Sequence, residues 1–294
     1  MTKKVGLVGI GLVGKAIAES LLKAAFEVVG FDIDPERCAE LKKLGGKCAS
    51  SPAEIAGQVE RVVFSLPDTK AVQQVVEGPN GLLKAEPLPA YIIDTTTGDP
   101  EETMALAVRL AQRGIHMLDS TLSGSSRQVR DRAVVFMVGG DKIAFEKCHD
   151  IFTTLSDKVF YLGPSGHGSK AKLASNLILG LNRLALAEGL IFAEKLGLDP
   201  AAFLDLLKAT PAYSAVMDIK GEKMLKGDFA AQARIRQHHK DVSLILKYAE
   251  QAGQELPLSK VHLDVLDKAI AAGDADLDNA AVIKEIRRRS TISS

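Results

Sequence analysis

Two stretches of the chain hold residue types whose spacing suits chemistry. In Gly166-His167-Gly168-Ser169-Lys170-Ala171-Lys172-Leu173-Ala174-Ser175-Asn176, Lys172 and Asn176 stand four apart in a run of helix formers, so they share a helix face. An ammonium beside an amide suits an alcohol that also carries a carboxylate. One group exchanges the hydroxyl proton or steadies a developing alkoxide, and the other orients the acid. Gly166 and Gly168 leave the helix entrance open to a ligand, and Lys170 falls on a different face. The second stretch is Gly9-Ile10-Gly11-Leu12-Val13-Gly14, between a strand-like run and a helix-like one. Its first glycine allows a tight turn, its second lets backbone approach a pyrophosphate, and its third lets helix and strand pack closely. The helix that opens there presents free N–H groups to phosphate. Asp32, at the end of the next strand-like run, would accept hydrogen bonds from an adenosine ribose and repel a 2′-phosphate, favouring NAD over NADP. The alternative is a glycine turn kept for packing, with Asp32 or Asp34 as a helix cap. Strand, glycines, helix and acid in that order favour the dinucleotide, and Asp34 before Pro35 reads as the cap.

These residues need elements to hold them. The chain has 294 residues, 46% hydrophobic and 25% charged, with 37 basic against 37 acidic side chains. That length suits two domains, each with its own core, and the charge balance gives no basis for nucleic-acid binding by overall charge. Cys38, Cys48 and Cys148 form no C-x-x-C pair, which predicts neither a disulfide framework nor a zinc site. His167, His238 and His239 lack a surrounding ligand set, so no metal is expected. Met1-Thr2-Lys3-Lys4 runs straight into a strand, and no apolar run reads as a membrane span; the expectation is a cytoplasmic protein with no membrane partner. Up to about residue 163, strand-like runs (4–8, 27–31, 61–65, 91–94, 115–118, 134–138) alternate with helical ones (13–25, 35–44, 101–113, 142–152). That alternation predicts βαβ units and a mostly parallel sheet. Beyond Gly163-Pro164 the strands stop. A helix over about 168–196 and further helices over 200–208, 241–252, 260–272 and 279–289 follow. The expected fold class is α/β: a Rossmann-like dinucleotide-binding domain (1–163), then an all-α domain (164–294) joined through a long helix.

In the order of its motifs the chain resembles the β-hydroxyacid dehydrogenase family, which includes 3-hydroxyisobutyrate dehydrogenase, tartronate semialdehyde reductase and the longer 6-phosphogluconate dehydrogenases. Gly9 to Gly14 followed by Ala18-Glu19-Ser20-Leu21-Leu22 is similar to the family's opening fingerprint. Leu66-Pro67-Asp68 resembles its cofactor-side Leu-Pro, and Asp94-Thr95-Thr96-Thr97-Gly98-Asp99-Pro100 its Asp-x-Ser-Thr-x-x-Pro loop. Asp119-Ser120-Thr121-Leu122-Ser123-Gly124 resembles the substrate loop Asp-Ala-Pro-Val-Ser-Gly, and Gly166 to Asn176 the lysine motif. Leu225 to Phe229 and Lys240-Asp241 resemble the closing elements. The resemblance implies Lys172 as the acid/base. It implies Ser123, Gly124, Asn176 and Thr96 at the substrate, and Gly9, Ile10, Gly11, Leu12, Val13, Gly14, Asp32, Leu66, Pro67, Thr97 and Lys240 at the cofactor. It also implies an active site between the two domains, a small 3-hydroxy acid or semialdehyde as partner, and a homodimer or homotetramer, which surplus apolar helix surface independently favours. The implied reaction is NAD-dependent hydride transfer giving the 3-oxo acid. The alternatives are an imine or semialdehyde reductase of the same fold, or a non-catalytic dinucleotide-binding scaffold.

Read alone, Ser123-Gly124 is an ordinary turn, Thr95-Thr96-Thr97 a helix-entry cap, and Lys240-Asp241 an exposed helix start. The departures from the family bear on substrate. Thr121 stands where relatives have proline, Ser125 replaces a glycine, and Ser175 replaces one of two asparagines. Arg127, Arg130 and Arg132 appear in a stretch that is normally small. One of those arginines could contact a second anion; the competing reading, a solvated loop pairing internally, is favoured.

Overall fold

Parallel strands with buried centres organise the first part of the chain. The computed structural model describes residues 3–289. Strands β1 (Lys4–Val8), β2 (Glu27–Phe31), β3 (Lys47–Cys48), β4 (Arg61–Phe64), β5 (Tyr91–Asp94), β6 (His116–Ser123), β7 (Val135–Gly139) and β8 (Lys158–Gly163) form one sheet ordered β3-β2-β1-β4-β5-β6-β7-β8. All neighbours pair in parallel except β6 with β7. Its helices are α1 (Leu12–Lys23), α2 (Pro35–Lys43), α3 (Pro52–Ala56), α4 (Thr69–Glu77), α5 (Pro100–Ala111), α6 (Ser126–Arg130), α7 (Lys142–Lys147) and α8 (His149–Leu155). One core packs α1, α6 and α8 against Val5, Leu7 and Phe136; a second packs α3, α4 and α5 against Val62, Phe64 and Ile92. Strands buried on both faces read as continuous apolar runs, as RVVF and YIID do.

The chain divides into two units, 1–172 and 173–294. Helix α9 (His167–Lys195) runs through the division. The second unit continues with α10 (Pro200–Lys208), α11 (Glu222–Lys226), α12 (Ile235–Gln251), α13 (Pro257–Ala271) and α14 (Val282–Arg289). Its main core gathers Leu186, Leu190, Leu204, Met217, Val265 and Ile283.

Several elements differ from the sequence reading. The short strand β3 and the strand β8 are additional, as are α3, α4, α6 and α11. The run 142–152 is two helices meeting at Cys148. Cys38 and Cys48 are joined by a disulfide, Cα to Cα 5.8 Å, against the expectation of none. Nine residues lie between them, and the turn from α2 into β3 brings the two side chains together. Helix α9 is long and apolar enough to cross a membrane by length and composition, also unlike the reading. Half of that stretch is buried within the fold, and the buried core helix of a globular protein passes the same test.

Candidate active site

The glycine turn joins β1 to α1. Gly9 has φ +90°, a left-handed conformation open to glycine, and its N–H donates to the Phe31 carbonyl at 2.9 Å. A Cβ on Gly14 would lie 2.0 Å from the Gly9 carbonyl oxygen, so the third glycine is what lets α1 start this close. Gly11 is the N-cap residue of α1 and supplies no side-chain cap. A Cβ added there meets nothing within 4 Å. A bare helix start on a glycine cradle fits a pyrophosphate. The Asp32 carboxylate accepts from Ile10 N at 2.6 Å and from Asp34 N at 2.9 Å, which ties the loop to the end of β2. Asp34 caps α2 through Glu36 N, as its place before Pro35 indicated.

Further along the carboxyl edge of the sheet, Leu66 N donates to Thr96 Oγ1 at 3.3 Å. Thr95 Oγ1 donates to the Phe64 carbonyl, and Thr96 N donates to Asp94 Oδ1 at 2.9 Å. The helix-entry cap before Pro100 is Asp99, through Glu101 N and Glu102 N, and not a threonine. Thr97 is half-buried and Pro67 exposed. Burial, with a smaller contribution from Asp119, pushes the Asp94 carboxyl up to about 7. A carboxyl whose folded pKa is raised holds its proton more tightly in the folded chain, so its contribution to stability falls as pH rises from about 4 towards 7. Asp94→Asn removes that loss. In denaturant titrations the variant should gain on the wild type by up to about 4 kcal/mol between pH 4 and 7; a gap that stays constant with pH would contradict this origin.

Strand β6 anchors the lysine helix. Asp119, paired in register with Asp94, accepts from Gly166 N at 2.9 Å and Ser169 N at 2.8 Å. A carboxylate there offsets both the free N–H groups and the positive end of α9. Thr121, in place of the family's proline, donates to the Gly168 carbonyl at 3.0 Å. With its first turn held at three points, α9 carries Lys172 on the following turn, 8% exposed. Strand β6 ends at Ser123, and Gly124 turns the chain with φ +147°. Ser125 then caps α6 in a reciprocal pair with Gln128. The three nearby arginines all pair with this chain's carboxylates: Arg127 with Asp131, Arg130 with Glu19 and Arg132 with Asp157. Only the Arg127 pair is internal to the loop, against the expectation that Arg130, Asp131 and Arg132 pair among themselves.

Asn176 lies one turn beyond Lys172 on α9. Its Nδ2 donates to Asp241 Oδ2 at 3.0 Å in a buried contact, and Lys240 Nζ stands 3.6 Å from Asp241 Oδ1. Both partners sit within α12, not at an exposed helix start. That helix begins at Ile235, six residues earlier than its apolar pattern suggested, and Asp241 is 6% exposed. Asp241 was visible in the sequence as part of a motif, but its hold on Asn176 was not. His238 faces inward against His262, ring centroids 5.0 Å apart, while His239 faces Asp267. Among the described residues no group of three His, Cys, Asp or Glu side chains could hold a metal. The first unit therefore lines Gly9 to Gly14, Asp32, Leu66, Pro67, Thr96 and Thr97 along the carboxyl ends of β1, β2, β4 and β5. Open α/β sheets bind ligands along that edge.

Known proteins match the chain along nearly its whole length. Residues 4–163 match the model for the NAD binding domain of 6-phosphogluconate dehydrogenase. Residues 166–286 match that for the NAD-binding part of NADP-dependent 3-hydroxyisobutyrate dehydrogenase. The chain is 29% identical to 2-(hydroxymethyl)glutarate dehydrogenase of Eubacterium barkeri, over 99% of this chain and 97% of that one. It is 30% identical to 2-hydroxy-3-oxopropionate reductase of Escherichia coli, over 96% and 97%. A crystal structure of 3-hydroxyisobutyrate dehydrogenase from Salmonella typhimurium superposes with TM-score 0.88 at 25% identity, covering 96% of this chain and 99% of that one.

Proposed function

Because the chain belongs to the β-hydroxyacid dehydrogenase family, we propose that it is an NAD-dependent dehydrogenase interconverting a short 3-hydroxy acid and its 3-oxo acid or semialdehyde. The observation that carries this reading is the placement of Lys172 and Asn176 on one face of a helix whose first turn is held by Asp119 and Thr121. A bound dinucleotide supplies a nicotinamide C4 that takes or gives hydride. Lys172 accepts the hydroxyl proton in oxidation and returns it in reduction. Asn176, fixed by Asp241, donates to the substrate oxygens, and Ser123 with Gly124 and Thr96 provides further donors for the acid. Preorganised donors and alignment lower the barrier without a covalent intermediate.

The glycine cradle holds the pyrophosphate, and Leu66, Pro67, Thr97 and Lys240 complete the cofactor contacts. Asp32 selects NAD by repelling a 2′-phosphate. Nicotinamide fluorescence titrations test this: wild type binds NADH more tightly than NADPH, and Asp32→Ser narrows that preference by about tenfold or more, roughly the 1.4 kcal/mol that a tenfold ratio represents. Equal affinity of the wild type for the two would remove the role. Several large side chains of α9 and the adjoining segment, among them Ile178, Phe192, Leu196 and Leu206, are exposed by half or more. This surface supports a homodimer or homotetramer, which light scattering would read as a multiple of 31.4 kDa.

The semialdehyde reductase reading differs only in direction. An imine reductase would not need the lysine, and a scaffold would need neither Lys172 nor its anchored helix. Initial rates with NAD and NADP over 3-hydroxyisobutyrate and 2-(hydroxymethyl)glutarate, and with NADH and NADPH over 2-hydroxy-3-oxopropionate, test the proposal, which fails if none of the three is turned over.

A further inference from the structure

The face of α9 that carries Lys172 and Asn176 continues through Gly180 to Arg183, since residues four, eight and eleven places on stay on one side of a helix. Arg183 is 5% exposed. Its Nε is sealed from solvent without a hydrogen-bond partner, and among the described residues no carboxylate stands within ion-pair distance of its guanidinium. Burial lowers its pKa to about 10, opposed by the charge of Asp278. That aspartate is already engaged. Oδ1 accepts from Lys220 Nζ at 2.7 Å and Ala280 N at 3.0 Å, and Oδ2 from Gln232 N at 3.0 Å and Ala233 N at 3.2 Å. Two buried cations therefore share one anion. His262 adds no charge, because burial and the Arg183 charge push it down to about 4. A buried arginine left in this state is unfavourable until a carboxylate meets its fork of donors.

We propose that Arg183 binds a second anionic group on the substrate, making the preferred substrates 3-hydroxy acids whose C2 bears a short arm ending in a carboxylate. The proposal rests on the dehydrogenase reading above. Asn176 and Arg183 are seven residues apart, roughly 10 Å along the helix axis. The long arginine side chain leans back towards the helix N-terminus, which shortens the gap to one that a small diacid spans. Gly180 lies between them, and a Cβ there would come 2.5 Å from His238 Nε2 and 2.7 Å from His262 Cε1. At that level the bare α9 backbone is lined by the imidazoles of His238 from α12 and His262 from α13, not by an aliphatic side chain of its own. The arginines that stood out in the sequence, Arg127, Arg130 and Arg132, are each paired with a carboxylate of the chain; Arg183 is not.

A matched pair of acids provides the test. 3-Hydroxyisobutyrate and 2-(hydroxymethyl)glutarate share the same reacting hydroxymethyl and carboxylate and differ in the arm on C2, methyl against carboxyethyl. The wild type is expected to favour the diacid by about 10²-fold in kcat/KM, chiefly through KM. In Arg183→Met that ratio falls to within a few-fold of one, and Arg183→Lys restores part of it. Glutarate, which cannot react, should inhibit the wild type at least tenfold more strongly than the methionine variant. A ratio that Arg183→Met leaves unchanged, or a wild type with no diacid preference, overturns the proposal while leaving the dehydrogenase reading intact. Absence of turnover with both acids defeats that reading instead. Calorimetric titration of glutarate into wild type and Arg183→Lys then decides the arginine alone: weaker binding to the variant supports it, equal binding overturns it.

Discussion

Lys172→Ala should lower kcat by about 10²–10⁴-fold, the range that a positioned acid/base contributes, while leaving dinucleotide binding within a few-fold of wild type. As hydride leaves C3 the hydroxyl must lose its proton, and in the proposed mechanism Lys172, on the α9 face shared with Asn176, accepts it. The substitution keeps the helix, because alanine is the strongest helix former and the Asp119 contacts that hold the first turn are to backbone N–H groups. A variant with normal NADH fluorescence and collapsed turnover would therefore report chemistry. Equal losses of binding and turnover would instead show that α9 had been dislodged, and unchanged turnover would remove the lysine from the mechanism.

The second large effect is expected at the glycine turn, where neighbouring glycines should behave differently. A Cβ at Gly14 would sit 2.0 Å from the Gly9 carbonyl oxygen and 2.9 Å from its carbon, and backbone cannot swing aside as a side chain can. For Gly14→Ala to fit, α1 must move back, yet Ala16, Ile17, Ala18 and Leu21 of that helix are fully buried. NADH affinity should fall by 100-fold or more, about 2.7 kcal/mol, and the melting temperature should fall with it. Gly11→Ala meets no protein atom within 4 Å. It should leave the melting temperature unchanged and weaken NADH binding, because its methyl occupies the approach to the phosphates. Normal NADH binding by Gly14→Ala would contradict the cradle, and unaffected binding by Gly11→Ala would place the pyrophosphate elsewhere.

The parts of this architecture that were legible in the sequence are those that local pattern determines. Buried parallel strands such as RVVF and YIID announce themselves as apolar runs, and Asp34-Pro35 marks a helix start within two residues. What escaped depends on distant partners. Strand β8 has no fully buried residue, only half-buried positions alternating with exposed ones, and takes its place in the sheet by pairing with β7. The disulfide depends on a turn that brings Cys38 to Cys48. The run 142–152 has continuous helical spacing, yet the structure restarts the helix at Cys148. Asp241 looked like a surface residue because the polar start of α12, with Arg236, His239 and Lys240, hides a buried stripe of Ile235, His238, Asp241 and Val242. Within the site, Lys172 and Asn176 could be paired by spacing alone. Their supports, Asp119 from β6 and Asp241 from α12, lie 53 and 65 residues away in the chain. Arg183 gave no signal, since within a run of leucines an arginine reads as solvated until its neighbours are known.

In the proposed reaction hydride passes between C3 of a short 3-hydroxy acid and the nicotinamide. The most direct measurement incubates the protein with NAD and acids deuterated at C3, then examines the reduced dinucleotide by mass spectrometry and proton NMR. The expected product is NADH carrying one deuterium at C4 on a single face, formed at a rate that collapses in Lys172→Ala. Reduced dinucleotide without deuterium, or none with any acid of the series, would contradict the proposed reaction.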